Sequence, residues 1–217
     1  MLRLFLWCLD RPQIMNLKYL RSEPFLWIHL LGIAVFPLFI GITIVGLSIG
    51  NSYSFILELA LITAIAVIPV FLMQIQRPFN IFSILFLSLK PESLSDRQKT
   101  ILALFKRFRH KFVSAVAAVI MTLLLWVLYR LSPLAVGAID FIPQQRIIGL
   151  TIAAVGFFAA NLFFQIPLSV LLVLSTKQTK LTEISPCSLD EIKQDFTTIG
   201  LKIARILWFI EPEIESL

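Results

Sequence analysis

Asn161 and Gln165 stand four residues apart, about one turn of helix, in the middle of an apolar run from Ile147 to Leu174. Of all residues in this chain, these two have the types and spacing best suited to chemistry. Two carboxamides on one helix face, at a depth without water, either contact a solute or ion or bond to a neighbouring helix. Hydrogen bonding between helices, to Gln74 or Thr122, is the favoured reading, because neither residue ionises and no acid lies at matching depth. Glu58 is the only acid inside an apolar run; in the first turn of its helix it suits the helix dipole and can reach water, whereas proton coupling would want it deeper. His29, beside Trp27 near the start of another run, has the character of an amphipathic interface anchor. It has no companion at i+3 or i+4, and His110 is the only other histidine, so a metal site is not expected. Cys8 and Cys187 form no Cys-x-x-Cys pair. No Gly-x-Ser-x-Gly, His-Glu-x-x-His, phosphate-binding glycine loop or intramembrane aspartate pair occurs. The expectation is a non-enzymatic protein with no cofactor.

The elements that must hold these residues are four long apolar runs, Phe25 to Ile49, Phe55 to Gln76, Phe112 to Tyr129 and Ile147 to Leu174. A helix crosses a hydrocarbon core of about 30 Å with roughly 20 residues, and each run is near or above that length. With 58% hydrophobic and 15% charged residues, the chain lacks the polar surface for a soluble fold. The fold class expected is all-α, a polytopic membrane protein with four transmembrane helices. The net charge of +6 sits at helix ends rather than on a soluble patch, which argues against nucleic acid. Lysines and arginines fill the N-terminal segment, the connector after the second run and the tail, while the connection Gly50 to Ser54 has none and Leu131 to Gln145 is merely flanked by Arg130 and Arg146. Positive residues favour the cytoplasm, so both termini and the middle connector are expected there.

Pro37 and Pro69 interrupt the first two runs, where packing shape is favoured over gating. Phe79 to Leu89 is apolar but only 11 residues long, too short to cross, and is bracketed by Arg77 and Lys90. It reads as a cytoplasmic interfacial helix, with a re-entrant hairpin as the alternative. The connector is then helical from Ser95, with Lys106, Arg107, Arg109, His110 and Lys111 gathered near anionic lipid head groups. Gly149, Ala153, Gly156 and Ala160 line one face of the fourth run and invite close helix packing. Ser188 and Glu191 have the spacing of a capping box, and Ile192, Phe196, Ile199, Ile203, Ile206 and Ile210 continue as an amphipathic stripe. A C-terminal amphipathic helix over 189–210 is expected, facing the membrane surface or a partner.

Three stretches recur together: Ser22-Glu23-Pro24-Phe25-Leu26-Trp27-Ile28-His29, Gln76-Arg77-Pro78-Phe79-Asn80-Ile81-Phe82-Ser83-Ile84, and Leu89-Lys90-Pro91-Glu92. In this order they resemble the cyanobacterial low-complexity tail membrane proteins, an uncharacterised family, over roughly residues 20 to 210. The resemblance implies a plasma or thylakoid membrane and supplies no activity or site residues. The chain departs from the family's name, since no extended biased tail follows Phe209-Ile210-Glu211-Pro212-Glu213.

The organisation expected is a cytoplasmic arm 1–21, with Met15 as an alternative start; a membrane domain 22–174 with its connector 77–111; and a cytoplasmic tail 175–217. The expected role is an accessory or assembly factor of a larger membrane complex, contacting a membrane-protein partner and the lipid bilayer. A small transporter or channel subunit, resting on Asn161, Gln165, Pro37 and Pro69, is the alternative.

Overall fold

Residues 17–84, 86–138, 145–177 and 184–204 are described in the computed structural model. Cys8 and Met15 in the arm, and Ile206 and Ile210 in the tail, lie outside the described residues. A short helix α1 (Leu17–Ser22) leads into four helices long and apolar enough to cross a membrane. These are α2 (Pro24–Ser48), α3 (Phe55–Gln76), α5 (Arg109–Gly137) and α6 (Arg146–Leu174), here called the first to fourth spans. The helix α4 (Asp96–Phe105) lies between the second and third spans, and α7 (Leu189–Asp195) follows the fourth.

The two prolines are accommodated by opposite changes of helical pitch. Before Pro37 the first span tightens to a 3₁₀ turn over Gly32–Val35, and the Phe36 N–H donates to the Ile33 carbonyl, the oxygen that the proline ring would otherwise crowd. Before Pro69 the second span widens to a π turn over Thr63–Val67, where the Ile68 N–H reaches the Thr63 carbonyl.

Glycines let the first and fourth spans touch backbone to backbone. A Cβ on Gly46 would fall 2.4 Å from the Ala153 nitrogen, and one on Gly149 would fall 2.6 Å from the Gly46 carbonyl oxygen. Farther along, a Cβ on Gly156 would meet Ile42 and the Thr43 nitrogen at 2.9 and 3.1 Å. The small-residue face of the fourth span is therefore occupied within the chain, and it is not open to a partner complex.

The segment Phe79 to Leu89 is not an interfacial helix. It forms two short strands, β1 (Ser83–Ile84) and β2 (Leu87–Leu89), paired antiparallel. The Asn80 side chain accepts from the Phe82 N–H at 3.0 Å, a local turn that competes with helix. Nor does the tail form one helix over 189–210. Among the described residues it is helical only over Leu189–Asp195; Phe196 is already extended, and Leu201–Ile203 is a strand, β3, parallel to β2. Thr197, Thr198 and Ile199 are β-branched and Gly200 follows, a run that disfavours helix despite the apolar spacing around it. The Thr197 N–H donates to the Pro78 carbonyl and its carbonyl accepts from Asn80, so the tail is zipped onto the connector.

Two cores result. One lies between the spans and includes Leu47, Ile62, Ala66, Met121, Leu125, Ala153 and Phe157. The other lies at the basic end and joins Leu20, Leu26, Ile81, Phe82, Ile101, Leu102 and Ile192 to Val170 and Val173 of the fourth span.

Candidate functional site

The most heavily bonded polar cluster is at the end of the bundle away from the connector and tail. Arg146 opens the fourth span and Glu58 lies in the first turn of the second; both side chains are buried, 3% and 4% exposed. The guanidinium Nε donates to one Glu58 carboxylate oxygen at 3.1 Å and Nη2 donates to the other. Nη1 caps the first span by donating to the Leu47 and Ile49 carbonyls at 2.8 and 2.9 Å, where the helix leaves unpaired acceptors and negative dipole charge. Tyr129 of the third span donates its hydroxyl to Glu58, accepts from Arg146 at 3.1 Å and lies 2.6 Å from the Ser52 hydroxyl. The Tyr53 N–H completes the carboxylate shell at 2.8 Å. One group from every span is thus tied into one network. Glu58 does not reach water, as its position near a helix start had suggested; it is the buried counter-ion of Arg146.

At mid-depth Asn161 and Gln165 come together as their spacing implies. The Asn161 amide donates to the Ala66 carbonyl at 2.9 Å, and its oxygen accepts from the Gln165 amide at 2.9 Å. Ala66 lies in the π turn, where the regular ladder is broken and a carbonyl is left for a side chain from another helix. The partner is neither Gln74 nor Thr122; Thr122 bonds within its own helix, to Ala118. The Gln165 oxygen is buried without a hydrogen-bond partner among the described residues.

The amphipathic stripe of the tail is split by the change from helix to strand. Ile192 and Phe196 are buried in the core at the basic end, Ile199 is exposed and Ile203 half-buried on β3. The capping box forms, with the Glu191 N–H on the Ser188 hydroxyl at 3.2 Å and the Ser188 N–H on the Glu191 carboxylate at 2.8 Å. These bonds, with Lys106, hold the Glu191 carboxyl below its ordinary range. Lys106 bonds Asp195 at 2.7 Å and Glu191 at 3.4 Å, so it fastens α7 and is not free for lipid. His110 is buried against the Phe105 ring, and His29 bonds the Phe25 carbonyl and meets the Phe79 ring. Cys187 is buried, and desolvation pushes its thiol up. Among the described residues no group of three His, Cys, Asp or Glu side chains could hold a metal ion.

The Arg146 cluster was the arrangement least visible in sequence. Its one signal was an arginine at the start of an apolar run, opposite the lone intramembrane acid. Gly46 was likewise missed, though Thr43 and Gly46 stand three apart on one face.

No curated protein and no solved structure matches the chain. The family model for low-complexity tail membrane protein-like sequences matches residues 22–208, which takes in all four spans, the connector and the strand-forming part of the tail. With most of its length under that match, this chain belongs to the low-complexity tail membrane protein-like family.

Proposed function

We propose that this chain is a non-enzymatic accessory protein that assists or stabilises a larger membrane complex. In this reading it lies in a cyanobacterial plasma or thylakoid membrane, with its basic end and both termini in the cytoplasm. The orientation is supported by the pairing of Arg146, whose charge at the opposite end is neutralised by Glu58 and so weighs little against the positive connector and tail. Arg107, Arg109 and Lys111 lead us to expect anionic head groups around the basic end, each charge contributing ~1 kcal/mol.

The observation that carries the partner reading is an apolar patch on the three-stranded sheet. Phe86 and Leu201 are 76% and 72% exposed, with Leu87 and Ile199 exposed beside them. They are held together by the Leu201 N–H on the Phe86 carbonyl at 2.7 Å and by the Leu87–Leu201 pairing. Clustered apolar exposure outside the spans fits a protein contact. The test is a pull-down of the tagged full chain from native membranes in mild detergent, beside the double variant Phe86→Glu, Leu201→Lys. The expected result is one defined assembly with wild type and its loss in the variant; isolation of wild type as a free monomer would count heavily against the proposal.

A second reading, a small transporter or channel subunit, is favoured by the unpaired Gln165 oxygen, with buried Ser169 one turn farther along the same span. If solute flux in reconstituted vesicles is the same for wild type and Asn161→Ala, Gln165→Ala, that support is gone.

A further inference from the structure

A cavity of about 230 Å³ opens at the basic end, between the last turn of the second span, the start of the third and α7. Its wall includes Pro78, Phe105, Gln74, Lys106, Lys111 and Asp195. Gln74 is only 4% exposed, and its carboxamide makes no hydrogen bond to any described residue, yet it lines this cavity. Unlike the Gln165 oxygen, its polar atoms are not sealed from solvent, so a polar guest in the cavity would take the place of water there.

The charges narrow the chemistry of that guest. The Lys106 amine is shared between Asp195 and Glu191, one cation against two carboxylates, so Lys106 has no positive charge to spare for a guest. Lys111 is exposed, with no ion pair among the described residues. With Glu191 counted, two lysines balance two carboxylates; what the cavity offers an anion is Lys111, the lining cation that no described carboxylate holds, together with a Gln74 oxygen and an Asp195 carboxylate that can accept from hydroxyls. A bare phosphate brings two charges and few donors; a phosphodiester with a hydroxylated substituent brings one charge and the donors. The level is also specific. Gln76 and Arg77 are exposed at the end of the second span, while Phe112, 61% exposed, and Leu72, 41% exposed, present apolar faces just inside it. A lysine at such a boundary extends its amine to the head-group layer.

We propose that this cavity binds the head group of an anionic glycerophospholipid bearing free hydroxyls, of which phosphatidylglycerol is the simplest. Lys111 meets the phosphodiester, and Gln74 and Asp195 take the glycerol hydroxyls. The proposal deepens the head-group contact given above and rests on it, but differs from it in requiring Gln74 as well as charge.

The test uses the full chain exchanged from mixed phosphatidylglycerol and phosphatidylcholine nanodiscs into mild detergent, with retained lipid counted by native mass spectrometry. Wild type is expected to retain phosphatidylglycerol in preference to phosphatidylcholine. Lys111→Gln should lower that retention about fivefold, the factor that corresponds to one surface charge. Gln74→Met, read beside a melting curve that matches wild type, should lower it as well, and Lys177→Gln at the exposed end of the fourth span should not. Lys111 is exposed, so its variant decides the matter even if Gln74→Met fails to fold. If wild type shows no preference, both the cavity and the general head-group reading fall. If the preference survives Lys111→Gln and declines in Lys177→Gln, the general reading stands and the cavity assignment is overturned. Displacement of the lipid by free glycerol phosphate at equal concentration would overturn the lipid assignment in favour of a soluble phosphoester.

Discussion

Arg146 and Glu58 are 88 residues apart in the chain and share a site from which water is almost wholly excluded. Two charges there are tolerable only because the guanidinium and carboxylate valences are taken up by each other, by Tyr129, by Tyr53 and by the end of the first span. Removal of either charge strands the other, and Glu58→Gln or Arg146→Met should each destabilise the fold by about 3–5 kcal/mol. The pair Glu58→Leu, Arg146→Met should recover part of that loss, because no buried charge is left unpaired, although the Leu47 and Ile49 carbonyls, the Tyr129 hydroxyl and the Tyr53 N–H each lose a partner. Thermal unfolding in detergent checks it: a Glu58→Gln protein that melts with wild type would mean that the ion pair is not structural. Asn161 offers a second case at smaller scale. Asn161→Leu leaves the Ala66 carbonyl and the Gln165 amide unpaired, and should cost about 1–3 kcal/mol. If unfolding of Asn161→Leu matches that of wild type, the π turn does not depend on this bond. Of these two sites, the Asn161–Gln165 pair was legible because its spacing is local, whereas the Arg146–Glu58 pair was not, because its partners come from separate spans.

The elements differ in legibility for the same reason. The spans announce themselves by length and hydropathy, and the Ser188 capping box places the start of α7; the structure adds a second capping box, Ser95 with Gln98, at the start of α4. The sheet does not announce itself, since a short apolar run is equally a buried strand or a buried helical turn until its partner is known. Here the partner of 79–89 is the tail, more than a hundred residues later, and its docking hinges on Gly200. That residue has φ +92°, and a Cβ on it would lie 2.0 Å from the Phe86 carbonyl oxygen. Gly200→Ala should therefore detach β3, at a cost of about 1–3 kcal/mol, and hydrogen exchange at the Leu201 amide should accelerate. Unaltered protection of Leu201 would rule this out. α7 is fastened electrostatically, and its pH window follows from signs. Glu191 has its carboxyl lowered, so its contribution is present above the ordinary carboxylate range and lost as pH falls through the folded value. Lys106 has its ammonium raised, mainly by Asp195, so its contribution is present below the ordinary lysine range and lost as pH rises through the folded value. Exchange protection of Leu189–Asp195 should thus hold through neutral pH and decay first on acidification; a profile flat to strongly acid pH would refute the role of Glu191.

At the scale of the whole molecule, the two ends of the bundle are built on different principles. One end is a closed polar clamp with short connections; the other is a packed body of connector, tail and fourth-span residues, rich in lysine and arginine at its surface. The glycine contact between the first and fourth spans couples them, so Gly46→Leu or Gly149→Leu should disturb both ends, where a surface change would disturb one. This asymmetry makes the orientation testable with single cysteines and a membrane-impermeant maleimide. Asn51→Cys lies in the exposed connection beside the clamp, and Lys177→Cys lies at the exposed end of the fourth span. With native Cys8 replaced by serine in both variants, Cys187 should contribute little background, because it is buried and its thiol is raised toward the unreactive protonated form. In sealed membranes of known sidedness, Asn51→Cys should label from the non-cytoplasmic face and Lys177→Cys from the cytoplasmic face, as the excess of basic residues at that end requires. The reverse pattern would invert the topology, put the basic body and its apolar patch on the non-cytoplasmic side, and remove any partner from the cytoplasm.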